Sequence, residues 1–157
     1  MSEPSVQELY APQGRCFGCG PANDKGLRIR SHRSPDDPKT LVCTFVPEPH
    51  HLAFEGVLNG GIIGALLDCH SNWTAAIHFM DARGLDHPST TVTSEFNVTL
   101  KRPTPVDTEL HLRAHVVDTQ GDRATVEAEL EAGGKICATC RGVFIAVKPG
   151  HPAYDRW

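Results

Sequence analysis

The chain has 157 residues, of which 39% are hydrophobic and 22% are charged, a balance typical of one globular domain with its own core. Its formal net charge of -4 argues against a strong overall field that would draw the protein to nucleic acid or to a membrane surface. The longest apolar stretch, at 60–67, is far shorter than the roughly 20 residues of a membrane-spanning helix. We therefore expect no nucleic-acid partner and no membrane partner.

The N-terminal sequence lacks both the positively charged segment and the apolar segment of a secretory signal peptide. We therefore expect a cytoplasmic protein. Its six cysteines would then be reduced thiols rather than disulfides, because the cytosol keeps thiols reduced.

Composition divides the chain into three parts. Residues 1–26 predict an N-terminal arm and turn segment, because the first part is polar and 16–26 is rich in glycine. The main domain is expected at 27–148, and a C-terminal tail at 149–157.

The first half of the main domain changes from strand to helix periodicity. Alternating apolar residues predict two short strands, at 27–32 and 40–46. From Gly61, apolar residues recur at three- and four-residue spacings, which predicts an amphipathic helix that ends near Met80, with Asn59 as its N-cap. The apolar positions of this helix are Ile62, Ala65, Leu66, Cys69, Trp73, Ala76 and Ile77.

Four further strands are predicted after the helix. They lie at 90–100, 109–118, 123–131 and 135–147. Because short connections join them, we expect an antiparallel meander. The element order β-β-α-β-β-β-β predicts an α+β fold in which one long helix lies against one face of the sheet.

The start of the predicted helix could carry chemistry. Gly60 and Gly61 leave the first N–H groups open, and these donors with the helix dipole favour a developing negative charge, such as a thioester oxyanion. Asp68 follows Gly61 by two turns on the same face, where a carboxylate can attack a carbonyl or deprotonate water. The alternative is a simple turn and a solvated aspartate. The stripe that holds these residues is small and polar, as expected of a groove: Gly61, Gly64, Asp68, Ser71, Asn72 and Ala75.

Asn59-Gly60-Gly61 followed by Asp68 resembles the His-Gly-Gly-x6-Asp signature of hotdog-fold acyl-CoA thioesterases of the phenylacetate-degradation type. The segments at 16–27, 96–103 and 135–142 also resemble that family. The resemblance implies a hotdog fold, in which an antiparallel sheet wraps around one long central helix. It also implies hydrolysis of acyl-CoA substrates to free acid and CoA, with no cofactor and no metal.

The resemblance further implies a homodimer or homotetramer whose active sites lie between subunits. Each site would combine the helix N-terminus of one chain with Asp68 of the other. Catalysis is expected to involve Asp68, Asn59 and Gly61. The expected substrate-binding residues are Gly60, His51, Ser71, Asn72 and Thr93.

Asn59 departs from the family pattern, which has histidine there. Asparagine can cap the helix and donate a hydrogen bond, but it does not titrate. His51 or His70 could compensate for the missing histidine. His70 lies about 200° around the helix from Asp68, so we expect it to be packed or interfacial rather than catalytic.

Two other functions remain open from the sequence. A hotdog domain could bind acyl-CoA without turnover, and Asn59 leaves this reading open. A hydratase would need a suitably placed acid–base pair, which Asp68 and His70 do not form on one helix face. Basic residues that could meet CoA phosphates are Arg102, Arg141 and Lys148.

The pairs Cys16-x2-Cys19 and Cys137-x2-Cys140 have the spacing of a four-cysteine zinc site. Cys137 and Cys140, however, fall in a predicted strand, where residues three apart point to opposite faces. We therefore expect buried thiols and no zinc.

Overall fold

The computed structural model describes residues 3–157. The expected arm, 1–26, contains a short helix, α1 (Val6–Tyr10). Ser5 caps it, because its hydroxyl accepts from the Glu8 N–H while the Glu8 carboxylate accepts from the Ser5 N–H. The first two residues of the arm lie outside the described residues.

Six strands form one antiparallel sheet, and a separate hairpin holds two more. The sheet contains β1 (Ser31–Arg33), β2 (Leu41–Phe45), β5 (Thr91–Leu100), β6 (Leu110–Gln120), β7 (Arg123–Ala132) and β8 (Lys135–Ala146), and the hairpin contains β3 (Leu52–Phe54) and β4 (Val57–Leu58). The order across the sheet is β1-β2-β6-β7-β8-β5. Burial alternates along β6 and β7, so one face of the sheet covers the core.

The position of β5 corrects the predicted meander. Strands β6, β7 and β8 do follow one another, but β5 pairs with β8 rather than with β6. The edge of β6 that β5 would have used is occupied by β2. The connection at 101–109 therefore crosses to the other side of the meander, and β5 is an edge strand of the sheet.

The first predicted strand, 27–32, is also wrong over most of its length, because β1 begins only at residue 31. Arg28 has a positive φ of 56°, which breaks the extended backbone. The N–H groups of Leu27 and Ile29 instead bond to the carbonyls of Phe17 and Gly18. This segment therefore joins the N-terminal loop to the core, where Ile29 is fully buried.

The central element is α2, Gly60–Ala82, which begins and ends close to the predicted bounds. Its N-cap is Asn59, as predicted, and the Asn59 side chain accepts from the N–H of Ile62. The inner face of the sheet wraps around this helix and encloses the core with it. The largest fully buried apolar side chains are Phe144, Ile29, Leu41, Leu58, Leu66, Leu67, Leu110, Leu112, Leu130 and Val126. This is the α+β hotdog arrangement that the sequence predicts.

His70 belongs to the core of this arrangement. It is fully buried, and its Nε2 lies 3.0 Å from the Leu41 carbonyl, so Nε2 carries the proton. Its Nδ1 then accepts from the Ser31 hydroxyl at 2.7 Å. Burial lowers the pKa of His70 to about 4, which keeps the ring neutral. Both ring nitrogens are occupied, so His70 is a packing residue.

None of the helices in the described part of the chain is both long and apolar enough to cross a membrane.

Candidate active site

Asp68 lies half-buried on α2 beside the edge strand β5. Its Oδ1 accepts a hydrogen bond from the Thr93 hydroxyl at 2.6 Å. Burial raises the pKa of Asp68, the Thr93 hydrogen bond partly opposes that rise, and negative charge on Cys16 adds to it. The other oxygen, Oδ2, takes no hydrogen bond from any described residue. One oxygen is thus held in place while the other remains available.

Asp68 opens on a cavity of about 260 Å³ between the N-terminal loop and α2. Among the described residues that line this cavity, Asp68 is the only acid, and Thr93 and Asn72 lie there with it. Trp157 stacks on Trp73 with ring centroids 4.3 Å apart, so the two indoles form one wall. The cavity combines one carboxylate with polar and aromatic surface.

The small and polar stripe of α2 runs along β5 in the opposite direction to the strand. The neighbouring pairs, from the helix start onward, are Gly60 with Leu100, Gly64 with Phe96, Asp68 with Thr93 and Asn72 with Thr91. Asn72 donates from Nδ2 to the Thr91 carbonyl, and the Thr91 hydroxyl donates to the Asn72 carbonyl. Each of these residues on the helix therefore has a defined neighbour on the edge strand β5.

The start of α2 lies at a second concave surface. Gly60 and Gly61 are exposed, and Gly60 lines a groove of about 450 Å³. The groove also contains Phe54, Leu100, Lys101 and Arg102. Apolar and basic surface meet there at the positive end of the helix dipole.

One chain does not bring Asp68 and the helix start together. They line different concave surfaces, and seven residues of helix separate them by roughly 10 Å along the axis. A single thioester carbonyl cannot touch both within one chain.

Comparison with known protein families gives one match. The model of the thioesterase superfamily matches residues 55–138, just over half of the chain, from the hairpin through α2 into β8. The chain belongs to the thioesterase superfamily. Among curated proteins, none matches it.

Solved structures of similar proteins share the superfamily fold. A thioesterase superfamily protein from Shewanella loihica PV-4 has a TM-score of 0.65 and 24% identity, over 82% of this chain and 98% of that one. A phenylacetic acid degradation-related protein from Ralstonia eutropha JMP134 has a TM-score of 0.65 and 22% identity, over 82% and 92%. A protein from Thermus thermophilus has a TM-score of 0.61 and 22% identity, over 77% and 93%. These similarities establish the hotdog fold.

Two expected substrate-binding residues of this superfamily member lie away from both concave surfaces. Ser71 is fully buried, and its hydroxyl has no hydrogen-bond partner among the described residues. His51 is buried against Phe45, and its Nδ1 accepts from the Glu48 N–H at 3.0 Å. The Asn59 N–H donates to the carbonyl of His51, so His51 supports the residue that caps α2.

The structure adds residues to the site that sequence reasoning placed elsewhere. Cys16, Cys19 and Cys69 lie together on the wall of the Asp68 cavity. The sequence analysis considered Cys16 and Cys19 as possible zinc ligands together with Cys137 and Cys140. Both of these later cysteines are buried in β8. In the sequence, Cys69 was interpreted only as an apolar position of the predicted helix, next to Asp68.

We predict that Asn59→Ala lowers the free energy of unfolding by about 0.5–2 kcal/mol, because the Ile62 N–H loses its side-chain acceptor. Chemical denaturation measures this loss. Asn59→Asp is the matched control, since aspartate keeps an oxygen acceptor at the cap and should retain most of the stability. An Asn59→Ala variant with native stability would contradict the capping role.

Proposed function

We propose that this protein hydrolyses acyl-CoA thioesters to the free acid and CoA, with Asp68 as nucleophile or general base. The observation that carries the proposal is Asp68 itself, half-buried on a cavity wall, with one oxygen held by Thr93 and the other available. Such a carboxylate can attack the thioester carbon or remove a proton from an attacking water. Membership of the thioesterase superfamily supports this reaction class.

The start of α2 supports the oxyanion part of the proposal. The Ile62 N–H bonds to the Asn59 side chain, whereas the N–H groups of Gly60 and Gly61 have no acceptor among the described residues. Both glycines are exposed. Their N–H groups and the helix dipole would stabilise the oxygen that becomes negative when the carbonyl is attacked.

A two-fold dimer would bring these two parts together. Phe96 lies near the middle of the edge strand β5, with 40% of its surface exposed. Pairing two copies of β5 about an axis near Phe96 would set Thr93 of one chain level with the partner's Thr99. Because the end of β5 lies beside the helix start, Asp68 of one chain would then lie level with the partner's Gly61.

A homodimer of this kind is therefore part of the proposal, either alone or as half of a homotetramer. Unpaired edges that are long and apolar favour association. The edge strand has ten residues and exposes Leu100 as well as Phe96. Light scattering at micromolar concentration tests this part, and a monomer with full activity would exclude a shared site.

The basic residues at the helix start suggest where CoA binds. Lys101 and Arg102 line the groove beside Gly60 and are exposed, so their charges can meet phosphate groups. The other candidate cations pair with acids of their own chain. Arg141 bonds to Glu127, and Lys148 contacts Asp122. We therefore assign the phosphates to the Lys101–Arg102 side of the groove.

The geometry around Asp68 disfavours the hydratase alternative. That chemistry would need a second proton-transfer group beside the carboxylate. No histidine lies among the described residues that line the Asp68 cavity, and both nitrogens of His70 are occupied in the core.

A hydrolysis screen tests the proposal directly. Purified protein is incubated with short-chain, long-chain and aryl acyl-CoAs, and a thiol-trapping dye measures released CoA. We expect catalytic release from at least one class, with matching formation of the free acid by chromatography. If an acyl-CoA bound in calorimetry but no member of the panel were hydrolysed, the protein would be a binding module instead.

A further inference from the structure

Three cysteines from two distant parts of the chain converge beside the candidate active site. The sulfurs of Cys16, Cys19 and Cys69 all lie within 4.8 Å of one another. The first two come from the N-terminal loop, and the third comes from α2. The Sγ atoms of Cys16 and Cys69 are 3.8 Å apart. No other cluster of three cysteines forms within residues 3–157.

We propose that Cys16, Cys19 and Cys69 bind one zinc ion as three thiolate ligands. Zinc–sulfur bonds are about 2.3 Å long and tetrahedral, so two sulfurs on one zinc ion lie about 3.8 Å apart. The 3.8 Å between the Sγ atoms of Cys16 and Cys69 matches this sulfur–sulfur distance. Soft thiolates also favour zinc over magnesium or calcium, which prefer oxygen ligands.

The loop that carries Cys16 and Cys19 is closed by its own hydrogen bonds. The Gly20 N–H donates to the Cys16 carbonyl at 2.8 Å, and the Ala22 N–H donates to the Gly14 carbonyl at 2.9 Å. The Asn23 side-chain amide also donates to the Arg15 carbonyl at 3.2 Å. Hydrogen bonds around metal ligands fix the orientation of those ligands, so this closed loop favours metal binding.

The glycine at position 18 makes room for the third sulfur. A Cβ atom built there would overlap the Sγ of Cys69. Backbone hydrogen bonds from Leu27 to Phe17 and from Ile29 to Gly18 hold this part of the loop against the core. The close approach of the loop to Cys69 therefore requires glycine at position 18. The two backbone hydrogen bonds hold the loop in this position.

The three thiolates leave one coordination position for a water molecule, and they line the same cavity as Asp68. Three thiolates and Zn²⁺ carry a net charge of about -1. Arg15 and Arg156 also line the cavity and can offset it. Zinc would tie the N-terminal loop to α2 next to the catalytic carboxylate. This inference replaces our sequence-based expectation of no metal, which rested on the family resemblance and on the strand geometry of Cys137 and Cys140.

Metal analysis tests the site without any substrate, so its outcome is independent of the proposed hydrolysis. Protein purified under reducing conditions without chelators should contain about one zinc per chain. Apo protein prepared with a chelator should take up Zn²⁺ stoichiometrically in competition with a chromophoric chelator. Co²⁺ bound instead should show thiolate charge-transfer bands and the intense visible absorption of tetrahedral cobalt.

Matched alanine variants assign the ligands. Cys16→Ala, Cys19→Ala and Cys69→Ala should each lose stoichiometric zinc. Cys43→Ala and Cys137→Ala remove buried cysteines outside the cluster, and these variants should still bind one zinc per chain. Gly18→Ala retains all three thiols, but it should weaken zinc binding by about 10–100-fold by displacing Cys69.

Two results would overturn the proposal. One is wild-type protein that takes up no zinc from the competing chelator while its thiols are reduced. The other is zinc binding that survives Cys69→Ala, which would place the ion elsewhere. A variant that fails to fold does not affect the first measurement, because that uses only the wild-type chain.

Discussion

Asp68→Asn is expected to reduce turnover of the best acyl-CoA substrate by roughly 10²–10⁴-fold, the usual contribution of one general base. Asparagine keeps the size of the side chain and can still meet the Thr93 hydroxyl, but it cannot accept a proton or attack a carbonyl. Substrate affinity should change little, because the oxyanion donors and the basic groove belong to other residues. Steady-state kinetics separate the two effects as a fall in kcat with a nearly constant KM.

The same helix offers a matched control for this variant. Asp81 also lies on α2, but its carboxylate pairs with Arg33 on the surface, at the opposite end of the helix from Gly60. Asp81→Asn removes the same charge from the same helix and should leave turnover unchanged, at a small cost in stability. Both variants must show native circular dichroism and native assembly. Near-native hydrolysis by Asp68→Asn would make Asp68 structural and would favour the binding-module alternative.

The elements that sequence predicted well are those with local causes. The apolar spacing after Gly61 and the capping preference of Asn59 act within a few residues of the chain, and α2 has both features. The small stripe along α2 was predicted from the same spacing. Its neighbours along β5 were not, since periodicity does not tell which strand will lie beside a helix face.

The errors arose where distant parts of the chain compete. β5 is separated from β6 because β2 pairs with the free edge of β6. The length of a connection does not predict which of two strands will pair with that edge. Leu27 and Ile29 alternate like strand residues, yet their N–H groups bond to the N-terminal loop. The approach of Cys69 to Cys16 depends on that same loop. A cysteine on a helix therefore lies beside two loop cysteines that are fifty or more residues away in sequence.

A mixing experiment can decide whether each active site contains residues from two chains. Gly61→Val places a side chain over the open N–H groups, where a Cβ would already lie 3.0 Å from the Asn59 Oδ1. Loss of an oxyanion donor costs roughly 10²–10³-fold in turnover, so this variant and Asp68→Asn should each be nearly inactive. The two variants are then unfolded, mixed in equal amounts and refolded together, with each variant refolded alone as a control.

In a shared site, half of the mixed dimers would be heterodimers, and each heterodimer would hold one site with both Asp68 and Gly61 intact. The other site of that dimer would carry both substitutions. Activity should therefore recover to about one quarter of the native value by random association of subunits. If Asp68 acted with the helix start of its own chain, no site in the mixture would be intact and recovery would be absent. Co-purification through two different affinity tags isolates the heterodimer, for which the shared arrangement predicts about half of native activity per dimer.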